Sequence, residues 1–259
     1  MKKILLFGAG KSATVLIDYL LRHSLSENWM LTLVDANILL AKSKIGHALG
    51  GRAVSFDINN DSERRSHISR ADIVISLLPP ALHFLVAKDC LSHKKNLLTA
   101  SYIDASMKEL EVNIKESGLL FLCEMGLDPG IDHMSAKKLI DSIHEEGGKI
   151  VSFMSHCGGL VAPRSDSNPW HYKISWNPRN VVMAGKNGAV FKQNGVVISL
   201  TYKDLFSEKR FVKMQQGEDL CWYPNRDSLP YMSVYGLEDC PTFIRTTLRH
   251  PDFMYGWKN

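Results

Sequence analysis

The segment that most constrains this chain is Gly8-Ala9-Gly10-Lys11-Ser12-Ala13, which follows the short apolar run Ile4–Phe7 and opens Lys11–Arg22. That second stretch carries Val15, Leu16, Tyr19 and Leu20 at helical spacing. A strand, two glycines and a helix start form the G-x-G-x-x-A pattern of a dinucleotide-binding turn. The first glycine permits the tight turn, the second lets backbone approach a pyrophosphate, and Ala13 lets the helix pack close to the sheet. The helix start offers amide donors and a partial positive charge to the anion. Gly8, Gly10, Lys11, Ser12 and Ala13 are therefore candidate cofactor contacts.

The rhythm that follows agrees with this reading. Strand-like runs at Ile4–Phe7, Leu31–Val34, Ala53–Phe56, Ile73–Leu78, Asn96–Thr99 and Leu119–Leu122 alternate with helix-like stretches at Lys11–Arg22, Ile38–Leu49, Asp61–Ser69, Ala81–His93 and Ala105–Glu116. Most of the strand runs are continuously apolar, as in parallel strands buried on both faces. The pattern predicts a Rossmann-type, doubly wound parallel sheet over residues 1–123. Asp35 ends the second strand, roughly 20 residues beyond the loop, where a carboxylate accepts from ribose hydroxyls and repels a 2′-phosphate. On that argument NAD is expected over NADP. A helix cap is the alternative role for Asp35, since Ala36-Asn37 starts the next helix. Leu78 and Pro79, at the end of the fourth strand, are expected beside the nicotinamide half, with strand termination by Pro79-Pro80 as the other reading.

Beyond residue 124 the pattern changes to a mixed α/β region, assigned to 124–259. Gly126-Leu127-Asp128-Pro129-Gly130 reads as a turn into a helix at Ile131–Glu145, and Lys149–His156 as a strand. Residues 158–180, rich in Gly, Pro, Asn and Trp, read as a long functional loop. Strands are expected at 181–184 and 196–202, and a helix over 241–257. Composition sets outer limits. The 259 residues are 45% hydrophobic with a net charge of +4, enough for a core and without the basic stripe nucleic-acid binding needs. No apolar run is long enough to span a membrane. The five cysteines are an odd number with no CxxC pair, which argues against a disulfide scaffold or a zinc site and for a reducing cytoplasm.

Several stretches of the chain resemble one family in a single order: Ile75-Ser76-Leu77-Leu78-Pro79, Thr99-Ala100-Ser101-Tyr102, Gly126 through Met134, Cys157-Gly158-Gly159-Leu160, Asn168-Pro169 with Tyr172-Lys173, Ser175-Trp176-Asn177-Pro178, and Tyr223-Pro224-Asn225-Arg226-Asp227-Ser228. The resemblance is to the saccharopine dehydrogenase (L-glutamate-forming) and saccharopine reductase family. It implies an oxidoreductase of lysine metabolism that interconverts saccharopine with glutamate and 2-aminoadipate 6-semialdehyde through a nicotinamide cofactor, as a homodimer. Related amino-acid or polyamine-adduct dehydrogenases share the scaffold and form the rival enzyme reading; an inactive dinucleotide-binding fragment is the non-enzymatic one. Members continue well beyond the point where this chain stops. The resemblance thus implies that Pro241–Asn259 only begins a helical region and that the 259 residues have little activity on saccharopine. The apolar residues Phe243, Ile244, Leu248, Phe253, Met254, Tyr255 and Trp257 would then await a partner surface.

The resemblance points to Tyr102, Asp128, Cys157, Asn225 and Arg226 as substrate-pocket positions and leaves the general base open. Saccharopine joins glutamate to lysine through a secondary amine and carries three carboxylates. Arg226 suits a carboxylate, because guanidinium pairs with it bidentately; a surface ion pair with Asp227 or Glu218 is the alternative. Asn225 adds an amide donor. Asp128 suits the substrate ammonium, or caps the turn. Tyr102, after the fifth strand, suits the reacting carbon or packs. Cys157 is a candidate proton carrier or an inert buried thiol. His133 is a candidate proton-transfer group or packs. Trp170, Tyr172 and Trp176 close over a substrate, bury a dimer contact or form a satellite cluster.

Overall fold

The computed structural model describes residues 1–175, 178–183, 185–208, 210–215 and 217–258. The chain divides into two compact units, Met1–Ile131 and Asp132–Asn259.

Among the described residues, the first unit holds a six-stranded parallel sheet of β1 (Lys2–Phe7), β2 (Trp29–Val34), β3 (Gly51–Val54), β4 (Ile73–Ser76), β5 (Asn96–Thr99) and β6 (Phe121–Leu122). Their order is β3-β2-β1-β4-β5-β6, so the direction of winding reverses between β1 and β4. That reversal is the switch point where open α/β sheets bind ligands, beyond the carboxyl ends of the strands. Alternate residues of β1 serve two cores. Ile4 and Leu6 join Ile17, Leu20, Leu31, Leu33 and Ala41 beneath helices Thr14–Arg22 and Ile38–Ile45. Leu5 and Phe7 join Val34, Ile68, Val74, Val86 and Leu97 beneath helices Asp61–Ser69 and Pro80–Ser92. Burial on both faces is the physical reason these strands lack a polar alternation. The single helix expected over Ala105–Glu116 is two, Ala105–Glu109 and Glu111–Glu116.

A buried ion pair ties two of these helices together. Arg64, almost fully buried, donates from Nε to Asp89 Oδ2 (2.7 Å), from Nη1 to the Ile58 carbonyl (2.6 Å) and from Nη2 to Asp61 Oδ1 (2.6 Å). The exposed Arg65 donates to the other oxygen of Asp89 at 3.0 Å.

The second unit departs further from the sequence-based expectation. Its described residues form one mixed sheet from β7 (Ser152–Cys157), β8 (Ala189–Gln193), β9 (Val196–Leu200), β10 (Arg210–Val212), β11 (Leu220–Pro224), β12 (Arg226–Asp227) and β13 (Thr242–Arg249). The segment expected to be a helix over 241–257 contains the central strand. β13 runs parallel to β7 on one side, and antiparallel to β11 and to the end of β8 on the other. Thr242-Phe243-Ile244-Arg245-Thr246-Thr247-Leu248-Arg249 is rich in β-branched side chains that pack well on a pleated surface. Only Pro251–Lys258 is helical. Of residues 181–184, expected as a strand, Val181 and Val182 end the short helix Pro178–Val182, and Ala184 lies outside the described residues.

The terminal apolar residues mostly have their partners within this unit. Phe243 and Ile244 are at most 1% exposed, and Phe253 and Met254 at most 6%. Phe243 packs with Ile140, Met232 and Tyr235 under helices Ile131–Glu145 and Pro230–Tyr235. Met254 packs with Leu205, Phe206, Cys221 and Tyr223.

The Arg64–Asp89 pair yields a test of the first unit. Asp89→Ala leaves Arg64 its bonds to Asp61 and the Ile58 carbonyl but orphans the buried Nε, and is expected to lower unfolding free energy by about 1.5–3 kcal/mol. Arg65→Ala, at the exposed end, should cost less than about 1 kcal/mol. Urea denaturation of the two variants separates them; equal, small losses would show that the pair is energetically idle.

Candidate active site

The phosphate loop lies at the carboxyl end of β1. Gly8 donates its N–H to the Val34 carbonyl at 2.8 Å and has φ +101°. A Cβ on it would sit 2.8 Å from the Leu77 carbonyl oxygen, so both conformation and space require glycine. Gly10 is different. It is extended, and a Cβ there would meet no protein atom within 4 Å. Space is open beside it, at the amino end of the run Lys11–Arg22. Lys11 and Ser12 are exposed beside that space, while Ala13 is buried against the sheet. The loop thus suits a dinucleotide phosphate on geometry alone.

Asp35 has a structural task. Its Oδ2 accepts the Ala9 N–H and its Oδ1 the Asn37 N–H, each at 2.8 Å. Asn37, not Asp35, caps the following helix by accepting from Leu39 and Leu40 N–H. The carboxylate bridges the phosphate loop to the next element and has its charge partly met by two amides. Leu78 is half-buried and Pro79 exposed at the end of β4, with Pro79 and Pro80 forming the start of helix Pro80–Ser92.

Two of the predicted substrate residues meet. Tyr102 Oη donates to Asp128 Oδ1 at 2.7 Å, and both residues are half-buried. Asp128 is held by a closed turn. Gly126 N–H donates to the Pro129 carbonyl (2.9 Å), and Ile131 N–H to the Gly126 carbonyl (3.0 Å). A Cβ at Gly130, whose φ is +150°, would lie 2.1 Å from the Gly126 oxygen. The amides of Glu124 and Met125 bond to the carbonyls of Ser101 and Thr99, which fixes the turn beside the carboxyl end of β5.

In the second unit, Cys157 ends β7 opposite Thr247 of β13, and Gly158 follows because a Cβ there would lie 2.3 Å from the Leu248 carbonyl oxygen. Asn225 joins β11 to β12 and donates its N–H to the Arg245 carbonyl at 2.8 Å. Arg226 is exposed with φ 53°, a left-handed backbone uncommon for a residue with a side chain. His133 is largely buried. Its Nδ1 lies 2.6 Å from Tyr235 Oη and its ring stacks on Tyr231. Tyr172 is buried against Phe253 and lies under the Arg249 guanidinium at 4.6 Å, whereas Trp170 is exposed. Trp176 and Asn177 lie outside the described residues.

Two groups escaped the sequence reading. Arg245, only 6% exposed, donates from Nη2 to Asp132 Oδ2 at 3.0 Å and lies over the Tyr231 ring at 4.1 Å. Its signal was an arginine at an inward position of a β-branched run, invisible once 241–257 is taken as helix. His83, in the first unit, is buried among three hydroxyls. Among the described residues no cluster of His, Cys, Asp or Glu suits a metal ion, and no helix is long and apolar enough to cross a membrane.

Residues 126–259 match the Saccharopine dehydrogenase C-terminal domain family, and residues 4–122 the Saccharopine dehydrogenase NADP binding domain family. The chain belongs to the saccharopine dehydrogenase family. It is 38% identical over 253 residues to saccharopine dehydrogenase [NADP(+), L-glutamate-forming] of Schizosaccharomyces pombe, covering 98% of this chain and 56% of that protein. It is 38% identical over 270 residues to alpha-aminoadipic semialdehyde synthase of Arabidopsis thaliana, covering 96% and 25% respectively. The apo saccharopine dehydrogenase (L-Glu forming) structure from Saccharomyces cerevisiae aligns at 36% identity with a TM-score of 0.91, over 100% of this chain and 57% of that one. The chain thus spans little more than half the length of its fungal relatives. The expectation of NAD is overturned: the matching domain is described as NADP binding, and the fungal relatives carry NADP(+) in their names. The physical flaw in that expectation was to treat the Asp35 carboxylate as free to select against a 2′-phosphate, when both its oxygens accept backbone amides.

The two glycines predict distinct behaviour. Gly10→Val should weaken dinucleotide binding at least about tenfold, roughly 1.4 kcal/mol, with little change in melting temperature. Gly8→Val should lose both binding and stability. Calorimetric titration and thermal unfolding of the pair check this; full affinity in Gly10→Val would place the phosphate elsewhere.

Proposed function

We propose that this chain carries the NADP- and substrate-binding parts of an oxidoreductase interconverting saccharopine with L-glutamate and 2-aminoadipate 6-semialdehyde. The observation that carries the reading is the Tyr102–Asp128 pair, set at the carboxyl edge of a sheet whose switch point is flanked by a phosphate loop. On this reading residues 1–123 hold the dinucleotide, through Gly8, Gly10, Lys11, Ser12, Ala13, Leu78 and Pro79. Residues 124–259 serve the substrate. NADP, when bound, takes up a hydride from the substrate carbon or returns it. The protein's part is to hold charge and protons. Asp128 binds the substrate ammonium, and Tyr102 keeps a proton at Oη against Asp128 Oδ1. Arg226 clamps a carboxylate, Asn225 supports it with an amide donor, and Cys157 is a proton carrier at the end of β7. The reading includes a homodimer in a reducing compartment, the cytoplasm, which an odd number of cysteines with no CxxC pair favours.

Two outcomes are expected. NADPH should bind more tightly than NADH in a fluorescence titration of the unmodified chain; the reverse preference would refute the cofactor assignment. Arg226→Ala should weaken saccharopine binding by roughly 1.5–3 kcal/mol, the range for a hydrogen bond to a charged group, and leave NADPH affinity unchanged. An unaltered saccharopine affinity would reduce Arg226 to a surface cation.

A further inference from the structure

Three hydroxyls from the carboxyl ends of β4 and β5 surround one imidazole. His83 lies in the first turn of helix Pro80–Ser92. Its Nδ1 is 2.8 Å from Ser76 Oγ, and its Nε2 is 2.7 Å from Ser101 Oγ. Thr99 Oγ1 sits 3.4 Å from Nδ1 and accepts the Ser101 N–H at 3.2 Å. The imidazole is 5% exposed, Thr99 2% and Ser76 0%. Burial pushes the His83 pKa down to about 4, so the ring is neutral at physiological pH.

A neutral imidazole has one N–H and one bare nitrogen. The Ser76 hydroxyl is cut off from water, and His83 Nδ1 is the acceptor within its reach. With Ser76 donating to Nδ1, the ring proton sits on Nε2 and donates to Ser101 Oγ. The Ser101 hydroxyl hydrogen is thereby turned away from the histidine. Ser101 is half-buried at the carboxyl edge of β5, two strands from β1 across the switch point, and next in sequence to Tyr102. A leucine at position 83 would fill the same space with no polar demand. A satisfied polar network instead fixes which way each hydroxyl points.

We propose that His83 is a positioning residue for the nicotinamide end of the dinucleotide, holding the Ser101 hydroxyl outward as a donor to the carboxamide oxygen. The proposal rests on the dinucleotide reading above and adds a polar anchor to it. It predicts a selective effect. His83 serves the nicotinamide half alone, so a ligand with the same adenosine, 2′-phosphate and pyrophosphate but no nicotinamide should not sense it.

The test is calorimetric titration of the full chain with NADPH and with 2′-phospho-ADP-ribose, for the unmodified protein, His83→Leu, His83→Gln and Ser101→Ala. In His83→Leu, NADPH affinity should fall about tenfold and 2′-phospho-ADP-ribose affinity less than about twofold, the scale of one hydrogen bond. His83→Gln, whose amide both donates and accepts, should recover most of the loss. Ser101→Ala should reproduce it, and this half-buried change decides the matter if His83→Leu fails to fold. Equal losses for both ligands would make His83 merely structural and overturn the proposal. So would unchanged NADPH affinity in Ser101→Ala. Unmodified protein that binds neither ligand would overturn the dinucleotide reading as well, which keeps the two failures distinct.

Discussion

The first unit depends on β1 being paired on both sides. β2 follows it in register from Lys2↔Trp29 to Phe7↔Val34, and β4 from Ile4↔Ile73 to Phe7↔Ser76. A strand bonded on both edges and buried on both faces cannot shift without breaking two ladders and two cores at once. The loop at its end is therefore held at a fixed height. Gly8 is tied to the Val34 carbonyl and crowded by Leu77, and Ala9 N–H is tied to Asp35. Neighbouring strands thus set the position of the residues proposed to meet the pyrophosphate. The same logic carries along the edge. Ser76 and Thr99 end the next two strands, and the amides of Glu124 and Met125 attach the Asp128 turn to the end of β5.

The chemistry proposed for the substrate uses groups whose charge is already managed by the fold. Asp128 accepts a hydrogen bond from the Tyr102 phenol. Arg245, deeper in the second unit, has Asp132 and the Tyr231 face as partners. Arg226, proposed as the carboxylate clamp, is exposed and has a left-handed backbone.

The first sheet was legible because its physics writes directly into sequence. Parallel strands covered by helices on both faces must be apolar at successive positions, and Ile4-Leu5-Leu6-Phe7 is the plainest case. The second sheet was not. β10, β11 and β13 carry Arg210, Trp222, Arg245, Thr246, Thr247 and Arg249, polar or amphipathic side chains, among their apolar ones. β10 and β13 have neither a clean alternation nor a continuous apolar run. The β-branched residues of Thr242–Arg249 outweigh the helical start that Pro241 suggests, since β7 and β11 flank it with open ladders. At the candidate site, sequence located Tyr102 and Asp128 separately; their contact spans 26 residues of chain and depends on the turn geometry. Asp35 had both readings open, a ribose contact or a cap. The structure gives it a third, as a bridge between Ala9 and Asn37. His83 left no trace, because a lone histidine in an apolar helix reads as packing until the hydroxyls of two strands are brought to it.

The dinucleotide is proposed to sit on the loop after β1 and along the ends of β4 and β5. Hydrogen–deuterium exchange of the chain with and without NADPH tests it most directly. Added protection is expected at the amides of Gly10 to Thr14 and around Leu77–Leu82, with the helix Asp61–Ser69 and the amino-terminal ends of the strands unchanged. Protection absent from the Gly10–Thr14 amides, or concentrated at the opposite edge of the sheet, would contradict it.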